Sequence, residues 1–197
     1  MFTMGAGKLS DLSYTAYLKL LKESPEKLEY HDGFVTAMAG GTLEHSLITM
    51  NTGRALGNVL EDAQKPCRVF SSDARIRIEA TNRSFFPDLS VVCGEIERGE
   101  DDPHALTNPL LIVEVLSAST GDFDRGAKFA HYRRLPSLRE YVLIHQEQVQ
   151  VDAFYRTETG AWEITTRMEL ASSVPIKSLG IELPLATLYR QVPGLGD

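Results

Sequence analysis

The segment Leu110 to Leu116 reads Leu-Leu-Ile-Val-Glu-Val-Leu and is apolar at every position but one. A half-buried strand alternates apolar and polar residues, so a run this continuous fits a central strand covered on both faces. Such a strand needs layers of other elements above and below it. The surrounding sequence supplies candidates. Ser10 to Lys22 predicts a short helix that ends before Pro25, and Thr42 to Asp62 predicts a long one with Thr42 as its N-cap. Asp32-Gly33, set between Leu-Glu-Tyr and Phe-Val-Thr, is a strong hairpin signal over Leu28 to Ala39.

Strands are expected at Cys67 to Phe70, Ala74 to Ala80, Asp88 to Cys93, Tyr141 to Ile144, Val149 to Tyr155 and Trp162 to Met168. A further helix is expected at Asp124 to Arg134, a short Leu-rich segment at Leu183 to Tyr189, and a charged surface loop at Glu95 to Asn108. The order predicts an α/β fold with a mixed central β-sheet flanked by helices. A chain of 197 residues with 43% hydrophobic content suits a single domain over residues 1–197 with a sizeable core. No repeat or Pro/Ser-rich linker divides it.

The formal net charge of -7 argues against bulk capture of nucleic acid, which relies on many Lys and Arg contacts to phosphate. Carboxylates that hold a cation add to that negative count, so metal-dependent chemistry on phosphates is not excluded. Cys67 and Cys93 cannot make a disulfide framework or a four-cysteine zinc site, and a reducing, cytoplasmic setting fits them. No apolar run approaches the roughly 20 residues that span a bilayer, so no membrane partner is expected. Neither a Walker lysine nor a GxGxxG nor a G-x-S-x-G occurs.

Within the apolar run, Glu114 is the exception that asks for a reason. A buried carboxylate costs several kcal/mol, by order of magnitude about 3–5, unless it is paired or binds metal. Placement at a strand end or pairing with Arg or Lys would account for it. Asp88 opens its own apolar strand after Pro87, and if the two strands are neighbours the acids converge. Two unit charges about 4 Å apart repel by roughly 4 kcal/mol at an effective dielectric of 20. Such a pair asks for a cation or a shared proton, and hard oxygen donors favour magnesium or manganese. A turn-forming role for Asp88 is the plainer alternative.

Asp124, Lys128 and Tyr132 share one face at helical spacing. Lys128 either reaches the acids or forms an exposed pair with Asp124 worth about 0.3–0.5 kcal/mol. His45 lines up with Ile48, Thr52, Ala55 and Val59 on the face that should meet the sheet, as a core histidine or an arm of the site. Glu44 either binds metal or favours the helix N-terminus. Glu29, before the hairpin turn, is a candidate supporting acid, and Asp73 reads as a turn residue.

These residues resemble the Uma-two family of the PD-(D/E)XK nuclease superfamily over nearly the whole chain. The resemblance is carried by the Glu-Tyr-x-Asp-Gly hairpin at Glu29 to Gly33, by His45, and by Pro87-Asp88 before an apolar strand. It continues through Glu114-Val115-Leu116-Ser117, Ser119-Thr120, Asp124, Lys128 and Tyr132, and Leu138 to Val142. The resemblance implies a restriction-endonuclease-like core, with Asp88 and Glu114 as the paired acids and the Val115 carbonyl as a third metal donor. The superfamily places its lysine two residues after the second acid, where this chain has Leu116; the resemblance assigns that role to Lys128. It further implies phosphodiester hydrolysis with Mg or Mn, DNA as the substrate and a possible homodimer. Two other readings remain: a non-cleaving scaffold or binding protein on the same fold, which the net charge favours, and a paired-carboxylate glycosidase. The glycosidase would not need Lys128, and the 8% aromatic content offers it little sugar platform.

Overall fold

The computed structural model describes residues 11–38, 40–117 and 121–196. Helix α1 (Tyr14–Glu23) is capped by the Ser13 side chain, which accepts from the Ala16 N–H. It leads into a hairpin of β1 (Leu28–His31) and β2 (Phe34–Ala37). Asp32 and Gly33 both have positive φ (52° and 96°), the backbone that a two-residue type I′ turn demands. Helix α2 (Leu43–Asp62) starts at Thr42, whose hydroxyl accepts from the His45 N–H.

Strands β3 (Cys67–Ser71), β4 (Arg75–Ile78), β5 (Arg83–Phe85) and β6 (Leu89–Cys93) follow, with a 3-10 turn at Glu79–Thr81 between β4 and β5. Then come β7 (Arg98–Gly99), β8 (Asp102–Leu106) and β9 (Leu111–Leu116). A helical stretch runs through α3 (Gly121–Phe123), a π turn (Asp124–Lys128) and α4 (Phe129–Tyr132). The chain continues with β10 (Glu140–His145), β11 (Val151–Arg156), β12 (Trp162–Arg167), β13 (Ser173–Ile176), β14 (Ile181–Pro184) and α5 (Leu185–Leu188).

The central sheet is mixed, in the order β12-β11-β10-β9-β6-β3, with β9 and β10 parallel and the other pairs antiparallel. Strand β9 lies in its interior and is buried at all six positions, as its apolar run requires. Leu111, Val113 and Val115 face a core shared with Ile48, Leu56 and Leu60 of α2 and with Leu185 and Leu188 of α5. Ile112 and Leu116 face a second core, built with Phe129 and Tyr132 of α4 and with Ile76, Ile78 and Phe85. Glu114 shares the parity of Ile112 and Leu116 and so belongs to that second face.

A second sheet, β2-β1-β5-β4-β8-β7, closes over this face, and it includes strands that the sequence did not announce. The surface loop expected at Glu95 to Asn108 is corrected: it contains β7 and β8. Asp102 draws β8 in by a buried ion pair with Arg75, and Pro103 falls in the bulged stretch between the Arg98–Leu106 and Gly99–Asp102 pairs. Charge and proline content hid this strand, because its polar groups are satisfied inside the protein. Cys67 and Cys93 stand opposite each other on β3 and β6 and are joined as a disulfide, a bond the sequence reading did not include. No helix among the described residues is long and apolar enough to cross a membrane.

Candidate active site

Strands β6 and β9 are antiparallel neighbours that pair Leu89 with Val113. One residue further along that register, Asp88 comes level with Glu114 at the end of the pairing. Pro87 is buried where the chain enters β6. The Val115 N–H donates to Asp88 Oδ2 at 2.7 Å. In a strand the N–H and C=O of one residue share an edge, so the Val115 carbonyl opens toward the same acid. His45 Nε2 stands 3.2 Å from Asp88 Oδ2. The Asp88 carboxylate holds the His45 pKa above the usual histidine value, overcoming the opposite effect of burial. Gly41 permits this approach: a Cβ there would lie 2.9 Å from His45 Nδ1.

Glu114 is held from the other side. Lys128 Nζ lies 2.9 Å from Glu114 Oε1, 3.4 Å from Glu29 Oε1 and 3.5 Å from Asp124 Oδ1. The Tyr132 hydroxyl donates to Glu114 Oε1 at 3.1 Å. Glu29 also accepts from the Phe86 N–H at 3.1 Å, which ties β1 to the segment that leads into Pro87 and Asp88. Asp124 and Lys128 bound the π turn and both are buried. The alternative of an exposed Asp124–Lys128 pair is excluded, because Lys128 is only 5% exposed and lies against Glu114. An i to i+4 count places residues on a helix face but cannot tell which face is covered.

Burial raises the Glu114 pKa well above the ordinary carboxylate value; Lys128 opposes the shift, while Asp124 and Asp88 reinforce it. For Lys128, burial alone would favour the neutral amine, but Glu114, Glu29 and Asp124 outweigh it and raise its pKa. Lys128 is thus a fixed cation rather than a base near neutral pH. Five acids, Glu29, Asp88, Glu114, Asp124 and Glu147, line a cleft of about 680 Å³ together with one lysine, Lys128, and two histidines, His31 and His45. That imbalance favours a further positive charge or a retained proton.

The available oxygen donors are the Asp88 and Glu114 carboxylates and the Val115 carbonyl. No group of three or more His, Cys, Asp or Glu side chains suited to a metal occurs among the described residues. Two carboxylates and a carbonyl do fit magnesium or manganese, which take hard oxygen ligands and keep several waters.

Asp88, Glu114, Val115, Lys128, His45, Glu29 and Asp124 all line the cleft. Tyr132 stands behind it against Glu114. Glu44 sits half-buried in the first turn of α2 and is not among the lining residues. Ser119 and Thr120 of the motif lie outside the described residues. The sequence reading missed His31, Thr36, Phe123 and Gln146, which also line the cleft. Alternation along the hairpin carried a signal for His31, since Glu29 and His31 lie two residues apart on one strand face.

A family model described as "Putative restriction endonuclease", that of Uma2, matches residues 14–186. An uncharacterized protein of Synechocystis sp. is 34% identical over 179 residues, covering 91% of this chain and 92% of its own length. A second one from the same organism is 34% identical over 157 residues, covering 80% and 88%. The fold is similar to the crystal structure of a "putative nuclease" from Anabaena variabilis, with a TM-score of 0.70 at 21% identity over 87% of this chain and 96% of that one. A model match over most of the length, together with relatives of this identity and coverage, shows that the chain belongs to the Uma2 family.

Proposed function

We propose that the chain is a metal-dependent endonuclease that hydrolyses phosphodiester bonds in DNA, with Asp88, Glu114 and Lys128 as its catalytic centre. The observation that carries this reading is the single cleft in which two strand-borne acids and a buried lysine meet under an excess of carboxylates. The family description and the name of the Anabaena protein support the same class of activity. A magnesium or manganese ion held by Asp88, Glu114 and the Val115 carbonyl would supply Lewis acidity to the phosphate and lower the pKa of a bound water.

The protein's own groups have distinct tasks. The Val115 N–H and His45 orient Asp88, while Tyr132 orients Glu114. Lys128 presents a permanent ammonium that neutralises charge developing on the phosphate or aligns the attacking water. Glu29 and Asp124 fix its direction.

The test is cleavage of single- and double-stranded DNA in magnesium or manganese. Lys128→Met is expected to lower the rate by roughly 10²–10³-fold, the scale for losing one preorganised donor. It also leaves buried acids facing one another, at a cost of about 3–5 kcal/mol in stability. Circular dichroism must therefore confirm folding before the rate is read. Asp88→Asn is expected to be inactive. A folded Lys128→Met that cleaves normally would remove Lys128 from the mechanism. The competing reading, a non-cleaving binding protein, is favoured by the full set of carboxylates around Lys128. It gains if the wild type cleaves neither substrate.

A further inference from the structure

At one margin of the cleft the second sheet presents a row of residues that the centre described above does not use. The β2-β1-β5 register sets Phe34 opposite His31, and His31 opposite Arg83. Cross-strand partners share a face of the sheet. That face is the one turned to the cleft, because His31 and Thr36 both line it and His31 Nε2 lies 2.9 Å from the Thr36 hydroxyl. Phe123, at the start of the helical stretch, also lines the cleft and packs against His31, their ring centroids 5.9 Å apart and tilted by 57°.

Beneath them the fully buried Phe85 ring joins rim to centre. It packs against His31 at 5.2 Å and Phe123 at 6.3 Å, and Lys128 Nζ stands 5.7 Å from its centroid. Phe34 remains 43% exposed and Phe123 37% exposed. Burial holds the His31 pKa below its ordinary value, so near neutral pH the ring is a flat uncharged face rather than a cation. Arg83 shares the sheet face of His31 and Phe34; its guanidinium donates to the Thr81 carbonyl at 3.2 Å and stands 3.8 Å from Asp32. Two exposed phenyl rings and an imidazole, together with this arginine and continuous with a phosphate-directed centre, match the chemistry of a stacked base with its phosphate nearby.

Resting on the nuclease reading for its placement, we propose that His31, Phe34 and Phe123, flanked by Arg83, form a subsite for an unpaired nucleobase. The chain would then take a single-stranded segment into the cleft, the rim stacking a base while Arg83 meets an adjoining phosphate. Stacking on these rings would add binding energy that does not depend on the chain's net charge of -7.

The experiment measures fluorescence anisotropy with three labelled 12-nucleotide probes in calcium: oligothymidine, an abasic strand of equal length, and a blunt duplex. The wild type is expected to bind oligothymidine more tightly than the other two. Phe123→Ala should weaken oligothymidine binding on the order of tenfold and leave the abasic strand unchanged, whereas Phe123→Trp should retain binding. His31→Ala provides a second variant with the same expected pattern. Arg83→Gln should weaken both single strands alike. Equal binding of oligothymidine and the abasic strand, or a Phe123→Ala effect equal on both, would overturn the subsite. Base-dependent binding without cleavage of any substrate would sink the nuclease reading and leave the subsite standing. Duplex cleavage without base-dependent binding would do the reverse.

Discussion

Glu114 and Lys128 are 2.9 Å apart in a setting that would expel either one alone. Their partnership is unequal, because Lys128 has three carboxylates to share while Glu114 has other acids beside it. Glu114 therefore carries the penalty of burial, which raises its pKa in the folded protein. Below about pH 4 the carboxyl is protonated both folded and unfolded, and its contribution to stability is fully present. As the pH rises, the unfolded chain ionises first, and stability is lost until the raised folded pKa is passed. Each pH unit between the two pKa values is worth about 1.4 kcal/mol. Glu114→Gln does not titrate, so in EDTA it should melt above the wild type at pH 8 and lose that advantage near pH 4. Thermal melts at both pH values check this. A variant that melts below the wild type at pH 8 would show that the ionised Glu114–Lys128 pair is net stabilising.

At the scale of elements, α2 and the α3–π–α4 stretch bring the two halves of the site together from opposite faces of the central sheet. Helix α2 delivers His45 from its first turn, where Thr42 fixes the start of the helix and also donates to Gln146 Oε1 at 3.1 Å. The π turn inserts an irregular step between Asp124 and Lys128, and such bulges occur frequently at functional sites. In α2, Gly57 lies in mid-helix, and a Cβ there would meet nothing within 4 Å. Gly57→Ala should therefore stabilise the protein by about 0.5–1 kcal/mol, by removing unfolded-state freedom without a clash. Urea unfolding reads this as a higher midpoint at unchanged slope. Cleavage should be unaffected, since Gly57 does not line the cleft.

Across the whole molecule, the proposed metal site predicts that stability depends on the cation supply. If Asp88 and Glu114 bind magnesium, the ion should raise stability by about 2.7 kcal/mol at one hundred times its dissociation constant. For a chain of this length each kcal/mol corresponds to roughly 2–4 °C in Tm. Asp88→Asn should remove most of that gain and still fold, because Asp88 sits at the start of β6 rather than inside either core. Differential scanning calorimetry across millimolar magnesium checks the expectation. A wild-type Tm that does not move would count against metal binding at this site.

Much of this arrangement follows from local pattern. The unbroken apolar run of Leu111 to Leu116 required a strand with both faces covered, and Asp32-Gly33 required a tight turn, because few other backbones suit those residues. Glu114 was conspicuous for the same reason, as a charge where only apolar groups are at ease. Asp88 and Lys128 could be picked out as residues, but sequence spacing did not contain their closeness to Glu114. That depended on β6 pairing with β9 and on which face of the later helix is covered, and both are contacts between distant segments. The second sheet was least visible of all. Strand β8 is polar and contains proline, and it is held by the Arg75–Asp102 pair, the Tyr14 hydroxyl and its pairing with β4. Periodicity records which residues avoid water one segment at a time. Polar groups buried against partners far along the chain leave no such record, so only the tertiary structure could place Glu29, His31 and Phe123 around the same cleft.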